Sequence, residues 1–456
     1  MNENRKVPSG WASVTLGNVG EIVSGGTPST SIPEYWNGDI NWIAPSDLSG
    51  YFNKCISTGA KSISAAGLRN SSARLMPKGS VLFSSRAPIG YVVIANSELC
   101  TNQGFKSIIP NKAICNEYLF YFLKSAKGKA EDVASGTTFK EISLSNFSQL
   151  QIPLPPISEQ RRIVVKIEEL FSSLDKGIES LKTSQQQLKV YRQAVLKWAF
   201  EGKFTNENVK EGELPDGWKW KQTKEITSVL GDGLHGTPVY SESGEYYFIN
   251  GNNLSDGKIE IKENTKHVTI EEYEIYKKPL NENTIFVSIN GTLGNTAFYN
   301  GEKVVLGKSA CYFNVLNTVD KQYVRYCITS QRFINYAHKN ATGSTIKNVG
   351  LKAMREFEIP LPPTIEEQQL IVAEIESRLS VCDKIEESIE QSLKQSVALR
   401  QSILKKAFEG KLVPQDPDDE PASVVLDWIK AEREKGESGS QPCRQRGRIE
   451  AKKAKS

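Results

Sequence analysis

The chain contains ASGTTFKEISLSNFSQLQIPLPP at 134–156 and repeats it as ATGSTIKNVGLKAMREFEIPLPP at 341–363, with ten identities in 23 positions. A second pair matches at nine of 13 positions, RQAVLKWAFEGKF at 192–204 and RQSILKKAFEGKL at 400–412. The period is 207 residues, whereas solenoid repeats have periods of about 20–50 residues. Each copy is therefore expected to be a whole domain followed by an appendage.

The two copies are similar at their ends and have diverged in their middles. The motif Pro-x-Gly-Trp at 8–11 recurs at 215–218. Between these ends the match is reduced to short islands, which pair GGTP (25–28) with HGTP (235–238) and SSRAPIG (84–90) with SINGTLG (288–294). This pattern is typical of a tandem duplication with two diverged domains.

Each diverged region, 8–150 and 215–358, is rich in Gly, Ser, Thr, Asn and aromatic residues. Short apolar runs separated by turn residues predict strands, namely VLFSS (81–85), YVVIA (91–95), TIFVSI (284–289) and KVVLG (303–307). Helices are predicted at 116–125 and 321–336. The expected fold class is α+β, with two mixed, strand-rich domains.

A long helix is predicted after each IPLPP segment, because proline fixes φ and disfavours helix in the residue before it. The first helix is expected to run from Glu159 to Glu201 with Ser158 as its N-cap, and Gly202 and Gly410 are expected to end the two helices. Apolar residues at three-and-four spacing predict a coiled coil interrupted by Gln185 and Ser396. The predicted stripes are Ile163, Ile167, Leu170, Leu174, Ile178, Leu181, Leu188 and Val195 in the first helix, and Ile371, Ile375, Leu379, Ile385, Ile389, Leu393, Val397 and Leu404 in the second.

The two long helices can pair with each other in an antiparallel coiled coil. That arrangement would place the two domains at opposite ends of a rod, related by a pseudo-two-fold axis. The alternative is that each helix folds back on its own domain.

Composition excludes several classes of protein. The 456 residues are 38% hydrophobic and 24% charged, as in soluble globular proteins, and no run reaches the roughly 18 apolar residues of a membrane span. The N-terminus does not resemble a signal peptide. Seven scattered cysteines without a CxxC pair indicate a reducing compartment, so a cytoplasmic location is expected, with no membrane partner.

Catalytic and cofactor motifs are weak or missing in the sequence. GDGLHG (231–236) matches the dinucleotide pattern GxGxxG, but the turn-like TPVYSESGEYY follows it where a helix is required. The alternative interpretation, a glycine loop, is favoured. With three isolated histidines and no catalytic constellation, the chain is expected to be non-catalytic and to bind no metal or cofactor itself.

The C-terminal region has its own pattern. A linker (414–422) precedes a predicted amphipathic helix (422–435), which is expected to dock on the body or on a partner. The last 21 residues hold six Lys/Arg against two Asp/Glu, which accounts for the whole net charge of +4. This tail can hold phosphate loosely or simply remain solvated, and the neutral body neither proves nor excludes DNA binding.

The duplicated IPLPP–EQ helix resembles the conserved regions of specificity subunits of type I restriction–modification systems. The resemblance rests on Glu159–Gln160 and Glu367–Gln368, together with the two RQ–AFEGK helix ends. The first domain adds GGTPS (25–29), NWIAPSDL (41–48), RAPIG (86–90) and TNQGFK (101–106). The second domain departs from this pattern, since LGKSAC (306–311) stands for TNQGFK. The resemblance covers the chain to about residue 435.

The resemblance implies two target recognition domains, each reading half of a bipartite, asymmetric double-stranded DNA site, and a coiled coil that fixes the spacer. It also implies two modification subunits (adenine-N6 methyltransferases) and restriction subunits as partners, which use S-adenosylmethionine, ATP and Mg. The implied division is recognition domain 1 (1–151), helical region 1 (152–204), recognition domain 2 (205–358), helical region 2 (359–412) and a C-terminal linker, helix and basic tail (413–456).

Candidate DNA-contacting residues are those in turns with a counterpart in the other copy and with side chains suited to base edges or phosphates. They are Ser85, Arg86, Asn102, Gln103, Lys106, Thr137 and Lys140 in the first domain, and His235, Thr237, Asn290, Thr292, Lys308, Ser309, Ser344, Thr345 and Lys347 in the second. The alternative for SGTTFK and TGSTIK is that they are only turns. The alternative function is a non-catalytic coiled-coil adaptor with two ligand-binding heads.

Overall fold

The computed structural model describes residues 7–136, 140–206, 208–210, 212–343 and 346–438, with side chains described as far as residue 431. The chain divides into two compact units. Unit 1 comprises Met1–Glu179 and Leu393–Ser456, and unit 2 comprises Ser180–Ser392. Each long helix contributes one part to each unit. Among the described residues, no helix has the length and apolarity needed to cross a bilayer.

Unit 1 is built on a five-stranded sheet, a three-stranded sheet and one two-stranded ribbon. The five-stranded sheet has the order Gly20–Ser24, Lys106–Pro110, Val81–Phe83, Val92–Ala95 and Cys55–Ile56. The three-stranded sheet has the order Lys61–Ile63, Trp36–Ile43 and Cys100–Thr101, and the ribbon pairs Ala12–Thr15 with Gln151–Leu154. The predicted strands at 81–85 and 91–95 are confirmed.

Unit 2 repeats this plan with different outer strands. One four-stranded sheet has the order Thr227–Asp232, Ala310–Val315, Thr284–Ser288 and Thr296–Phe298. The other has the order Tyr240–Ser241, Lys266–Val268, Tyr247–Ile249 and Val304–Leu306. Two-stranded ribbons pair Lys219–Gln222 with Glu358–Leu361, Leu254–Ser255 with Lys258–Ile259, and Ala341–Thr342 with Asn348–Val349.

The helices agree with most of the sequence predictions. Unit 1 contains the α-helices Leu16–Val19, Ala65–Arg69, Asn116–Ser125, Lys127–Asp132 and Leu144–Ser148, and the 3-10 turns Pro33–Tyr35 and Pro45–Leu48. Unit 2 contains the α-helices Ile270–Tyr276, Lys321–Thr329, Gln331–Asn340 and Leu351–Glu356, and the 3-10 turns Thr223–Glu225 and Gly251–Asn253. The single helix predicted at 321–336 is wrong, because Ser330 ends one helix and caps the next through the backbone N–H of Phe333.

The first long helix spans Ile157–Phe200 and the second spans Ile365–Phe408. Ser158 therefore lies inside the first turn, and its prediction as N-cap is wrong; its hydroxyl bonds to Asp419 instead. The predicted glycine stops are confirmed. Gly202 has φ +74° and Gly410 has φ +68°, and the amide after each glycine bonds back to the carbonyl five residues earlier, as in a Schellman motif.

The repeated tryptophan and glutamate motifs meet in each unit. The indole N–H of Trp11 donates to Glu159 over 2.9 Å, and that of Trp218 donates to Glu367 over 3.1 Å. Burial raises the pKa of Glu159, and the bond from Trp11 opposes that rise. The Pro-x-Gly-Trp segment is thus tied to the start of the long helix that follows the same domain.

The glutamine of each EQ motif holds the loop that leads into a domain helix. Gln160 accepts from the backbone N–H of Cys115 (2.8 Å) and donates to the carbonyls of Ala113 (2.8 Å) and Pro155 (3.0 Å). Gln368 accepts from the N–H of Asp320 in the same way (2.8 Å). Both glutamines are buried, so the repeated motif is explained by packing.

The two long helices run antiparallel wherever they touch within a unit. In unit 2, Arg192 pairs with Asp383 at 2.7 Å and with Glu386 at 2.9 Å, and further along the chain Thr205 bonds to Glu367. In unit 1, Arg400 pairs with Asp175. The two arginines and the two aspartates are repeat counterparts, so each unit contains the same ion pair.

A heptad spacing underlies the contact between the long helices. Positions seven residues apart are buried or half-buried, which are 167, 174, 181, 188 and 195 in the first helix and 375, 382, 389, 396 and 403 in the second. Ser396, the polar residue expected to interrupt the second stripe, is buried. The predicted seam positions Ile385 and Val397 are wrong, since their exposed fractions are 44% and 66%, because the heptad places Cys382 and Ser396 at the seam instead.

The C-terminal helix, Ala422–Ser438, packs on unit 1. Ala422, Leu426 and Ile429 are buried in the core of that unit. The preceding linker is held by Asp419, which pairs with Arg162 at 2.6 Å. The predicted docking of this helix on the body is confirmed, and the basic tail after it lies outside the described residues.

Candidate nucleic-acid interface

Four loops of unit 1 meet at one end of the five-stranded sheet. The N–H of Gly26 donates to Thr101 (2.8 Å), that of Ser85 donates to Gly104 (2.7 Å), and that of Ile142 donates to Ser85 (3.1 Å). We call this surface loop cluster 1, and it comprises residues 25–28, 84–90, 101–106, 135–136 and 140–142. Backbone hydrogen bonds bring these loops together, and such bonds do not require particular side chains.

Unit 2 has the same arrangement. Here the N–H of Leu234 donates to Leu306 (2.7 Å), that of Ile289 donates to Ser309 (2.9 Å), and that of Val349 donates to Ile289 (2.8 Å). We call this surface loop cluster 2, and it comprises residues 233–238, 288–294, 306–311, 341–343 and 346–349. The two clusters are built on one hydrogen-bond framework.

The glycine loops align two residues away from the match made on sequence. Ser24 is paired with Lys106 in one sheet and Asp232 with Cys311 in the other, which makes Asp232 the counterpart of Ser24. A Cβ on Gly25 or on Gly233 would overlap backbone carbonyl oxygens of the adjacent loop. The match of GGTP with HGTP is therefore wrong by two residues. Gly25 corresponds to Gly233, because both positions lie too close to a neighbouring backbone to carry a Cβ.

GDGLHG is a glycine loop, as favoured on sequence. The strand Thr227–Asp232 ends inside it, and the next regular element is the strand Tyr240–Ser241. A dinucleotide site of this type needs a helix whose N-terminus faces the pyrophosphate. The described residues between this loop and the strand Tyr240–Ser241 form no helix.

Three candidate residues of unit 1 converge on one carboxylate. Glu141 accepts from Arg86 (3.4 Å), from the ammonium group of Lys106 (3.3 Å) and from the hydroxyl of Ser85 (3.5 Å). Arg86 retains 36% of its side-chain exposure, whereas Lys106 retains only 9%. Ser85 is fully buried. Arg86 alone of these three is available to a ligand.

The remaining candidates of unit 1 lie on the same cluster. The side-chain oxygen of Asn102 accepts from the N–H of Gly104 (2.7 Å) and so shapes the turn. Gln103 is exposed and bonds to the hydroxyl of Thr27, and Lys140 is exposed. Thr137 lies outside the described residues.

The candidates of unit 2 occupy the matching positions. Asn290 donates to Asn348 over 3.3 Å, and His235 bonds to Asp232 over 2.6 Å. The hydroxyl of Ser309 accepts from the N–H of Gly251, so Ser309 supports its loop. Four further candidates are exposed, Thr237, Thr292, Lys308 and Lys347. Ser344 and Thr345 lie outside the described residues.

Sequence reasoning missed Glu141, Asn348 and Asp232. Glu141 pairs across its hairpin with Ser135, and Asn348 pairs with Thr342 in the same way. For Glu141 and Asn348 the sequence did carry a signal, because each directly follows the repeated lysine of SGTTFKE (135–141) and TGSTIKN (342–348).

The position of Lys106 is occupied by Cys311 in unit 2. Burial and the nearby Asp232 carboxylate raise the pKa of Cys311 to about 12. Its thiol is therefore neutral at physiological pH, and loop cluster 2 lacks the buried charge of loop cluster 1. Within the described parts of the chain, no group of three His, Cys, Asp or Glu side chains is placed to hold a metal ion.

A family signature occurs twice in the chain. The model of the type I restriction modification DNA specificity domain matches residues 8–190 and again residues 215–395. The chain belongs to the specificity subunits of type I restriction–modification systems. This specificity subunit has two target recognition domains, one in each matched region, and is a non-catalytic part of the complex.

Relatives of the specificity subunit span most of its length. It is 32% identical over 380 residues to the type I restriction enzyme MjaIX specificity subunit of Methanocaldococcus jannaschii, which covers 78% of this chain and 84% of the relative. It is 27% identical over 354 residues to the EcoKI specificity subunit of Escherichia coli K12, which covers 73% and 75%. DNA and the other subunits of a type I system are therefore its partners.

Solved structures share the fold of the specificity subunit. The HsdS subunit of Thermoanaerobacter tengcongensis aligns with a TM-score of 0.61 at 20% identity, over 90% of this chain and 99% of that one. A chain from a study of complex assembly and conformational transition of a type I system aligns with a TM-score of 0.64 at 20% identity, over 89% and 99%. The predicted α+β class with two repeats is confirmed.

Proposed function

We propose that loop cluster 1 reads one half of a bipartite DNA site and that loop cluster 2 reads the other half. The supporting observation is that the clusters share one backbone framework and differ in the side chains mounted on it. Two surfaces that bind DNA at different base sequences need a common backbone framework and different side chains. The proposed DNA contacts are those candidate residues from the sequence whose side chains are not buried.

Shared side chains are assigned to phosphates and differing ones to bases, because phosphate contacts position a protein without reading sequence. Lys140 and Lys347 are exposed counterparts and are the proposed phosphate contacts. Arg86 is replaced by Asn290 in the other copy, and the two are the proposed base-reading residues. Gln103 and Lys308 form a second differing pair.

Four buried or turn-shaping candidates receive a supporting role in this proposal. Ser85 and Lys106 are held by Glu141, and Ser309 is bonded to its own loop. Asn102 bonds to the N–H of Gly104. Substitution of any of these four residues would alter the conformation of the loops.

The proposal extends to the division of the chain and to its partners. Residues 1–151 and 205–358 would be the recognition domains, 152–204 and 359–412 the helical regions, and 413–456 a C-terminal appendage. Two modification subunits and the restriction subunits would dock on the helical regions, where exposed apolar side chains such as Val165, Val190 and Leu370 are available. Those partners would use S-adenosylmethionine, ATP and Mg in the cytoplasm.

Replacing Arg86 by alanine is expected to relax or abolish recognition of one half-site only. A bidentate arginine–guanine contact contributes about 1–3 kcal/mol of discrimination, so one position of the motif should become degenerate. The measurement is single-molecule mapping of N6-methyladenine in DNA from cells that co-express the variant with its modification partners.

Asn290→Ala is the matched control, and it should relax the other half-site. If both variants weaken the same half-site, or if each weakens both, the assignment of one cluster to each half-site is wrong.

We also propose that the long helices set the unread spacer. Inserting seven residues into both helices adds about 10 Å at ~1.5 Å per residue, which corresponds to two or three base pairs at ~3.4 Å each. The methylation motif is expected to keep both half-sites and to lengthen its spacer by that amount. An unchanged spacer in the motif of the variant would rule out this role of the helices.

A further inference from the structure

Arg86, Lys106 and Glu141 form a closed set of charges in loop cluster 1. The carboxylate of Glu141 lies 3.3 Å from the Lys106 ammonium group and 3.4 Å from the Arg86 guanidinium group. Lys106 is buried, and Glu141 is its salt-bridge partner among the described residues. A buried ammonium group without a counter-charge is strongly destabilising, so the burial of Lys106 depends on Glu141.

Unit 2 has different residues at the three corresponding positions. Asn290, Cys311 and Asn348 occupy them, and every charge of the unit 1 set is absent. The contact between the first and third positions is nevertheless retained, because Asn290 and Asn348 form a β-bridge and a side-chain hydrogen bond of 3.3 Å. In unit 1, Arg86 and Glu141 form the corresponding β-bridge.

In each copy, the residues at the first and third positions are chemically suited to each other. A carboxylate holds a guanidinium group in one copy, and an amide holds an amide in the other. An exchange at one position alone would leave an unpaired group, for example Lys106 beside an asparagine. The residues at the three positions are therefore chemically compatible within each unit.

We propose that Glu141 is the positioning residue for base reading by unit 1, and that Lys106 serves to hold Glu141 rather than DNA. The inference rests on the proposed function of loop cluster 1. By accepting from one guanidinium nitrogen, Glu141 holds that side of the Arg86 group and leaves its other N–H groups for the O6 and N7 acceptors of guanine. Asn348 orients Asn290 in the same way, and the amide of Asn290 suits adenine.

Two properties follow from this arrangement. The half-site read by unit 1 contains a guanine that depends on Arg86, and the half-site read by unit 2 contains an adenine that depends on Asn290. The three side chains also form a transferable set, since the backbone framework beneath them is common to both units.

The test uses the full chain co-expressed with its modification partners, with N6-methyladenine mapping and thermal unfolding of the purified complex as the two readouts. Glu141→Gln leaves Lys106 without a counter-charge, so we expect a lower unfolding temperature and at least a tenfold loss of discrimination at one position. The double variant Lys106→Met with Glu141→Leu removes both charges. We expect it to recover the unfolding temperature but not the discrimination.

The recovery of stability without recovery of reading separates positioning from a merely structural role. Lys54→Met with Glu168→Leu is the matched control, because this ion pair of 2.6 Å lies in the same unit and outside loop cluster 1. It should leave the motif unchanged. If the Lys106/Glu141 double variant keeps the wild-type motif, Glu141 is not a positioning residue.

The triple variant Arg86→Asn, Lys106→Cys and Glu141→Asn transfers the unit 2 set into unit 1. We expect one guanine of the motif to be replaced by adenine, with the other half-site unchanged. A motif that still requires guanine there would overturn the inference. If Arg86→Ala and Asn290→Ala alone leave both half-sites intact, the proposed function of the clusters fails first, and that outcome is distinct.

Discussion

Replacing Gly25 by alanine is expected to destabilise unit 1 by at least about 3 kcal/mol and to abolish reading of its half-site. The reason is steric. A Cβ on Gly25 would overlap the backbone carbonyl oxygen of Asn102, and neither strand end can move away without breaking the sheet beside it. Gly233→Ala is expected to do the same to unit 2, because its Cβ would overlap the carbonyl oxygens of Leu306 and Gly307.

The measurement is hydrogen exchange of peptides from each unit, combined with methylation mapping. Exchange should accelerate only in the unit that carries the substitution. Gly177→Ala is the control, since nothing lies within 4 Å of its Cβ position in the first long helix, and it should stabilise the helix by roughly 0.5–1 kcal/mol. Wild-type exchange and an intact motif in Gly25→Ala would contradict the close approach of these loops.

Gln160→Leu is expected to destabilise unit 1 by about 3–5 kcal/mol. The side chain is fully buried and makes three hydrogen bonds to backbone groups. Leucine has a similar size but would leave the N–H of Cys115 and two carbonyl groups without partners, which costs more than the apolar contact gains.

Gln368→Leu is the counterpart in unit 2 and should act there, through the N–H of Asp320. Gln186→Leu, on the exposed face of the first long helix, is the control and should change stability by less than about 0.5 kcal/mol. Urea unfolding gives the free energies, and hydrogen exchange assigns the loss to a unit. Equal stability of Gln160→Leu and Gln186→Leu would show that the EQ motif does not hold the fold together.

The architecture could be predicted because the chain contains two copies of one pattern. The IPLPP segments and the terminal glycines bracket each long helix, and the structure places the helices within two residues of the predicted ends. Local signals of this kind depend on neighbouring residues alone. The prediction of one helix at 321–336 was wrong because the apolar spacing is continuous across Ser330. The hydroxyl of Ser330 instead caps the second of two helices.

The interior of the candidate interface could not be predicted from the sequence. Glu141 meets Lys106 and Arg86 through pairings that span 35 and 55 residues, and nothing local marks it as a partner. The register of Gly233 was missed because HGTP resembles GGTP in letters, whereas the fold selects the glycine that approaches a neighbouring strand. Seam positions Ile385 and Val397 were missed because three-and-four spacing does not identify which heptad phase is buried.

The central claim is that the two units read the two halves of one DNA site. The most direct measurement is to co-express the chain with its modification partners and to map N6-methyladenine in the host genome at single-molecule resolution. The account predicts one asymmetric motif with two half-sites and an unread spacer, which disappears when the gene for this chain is deleted. A stable complex that yields no motif, or a motif without a spacer, would contradict it.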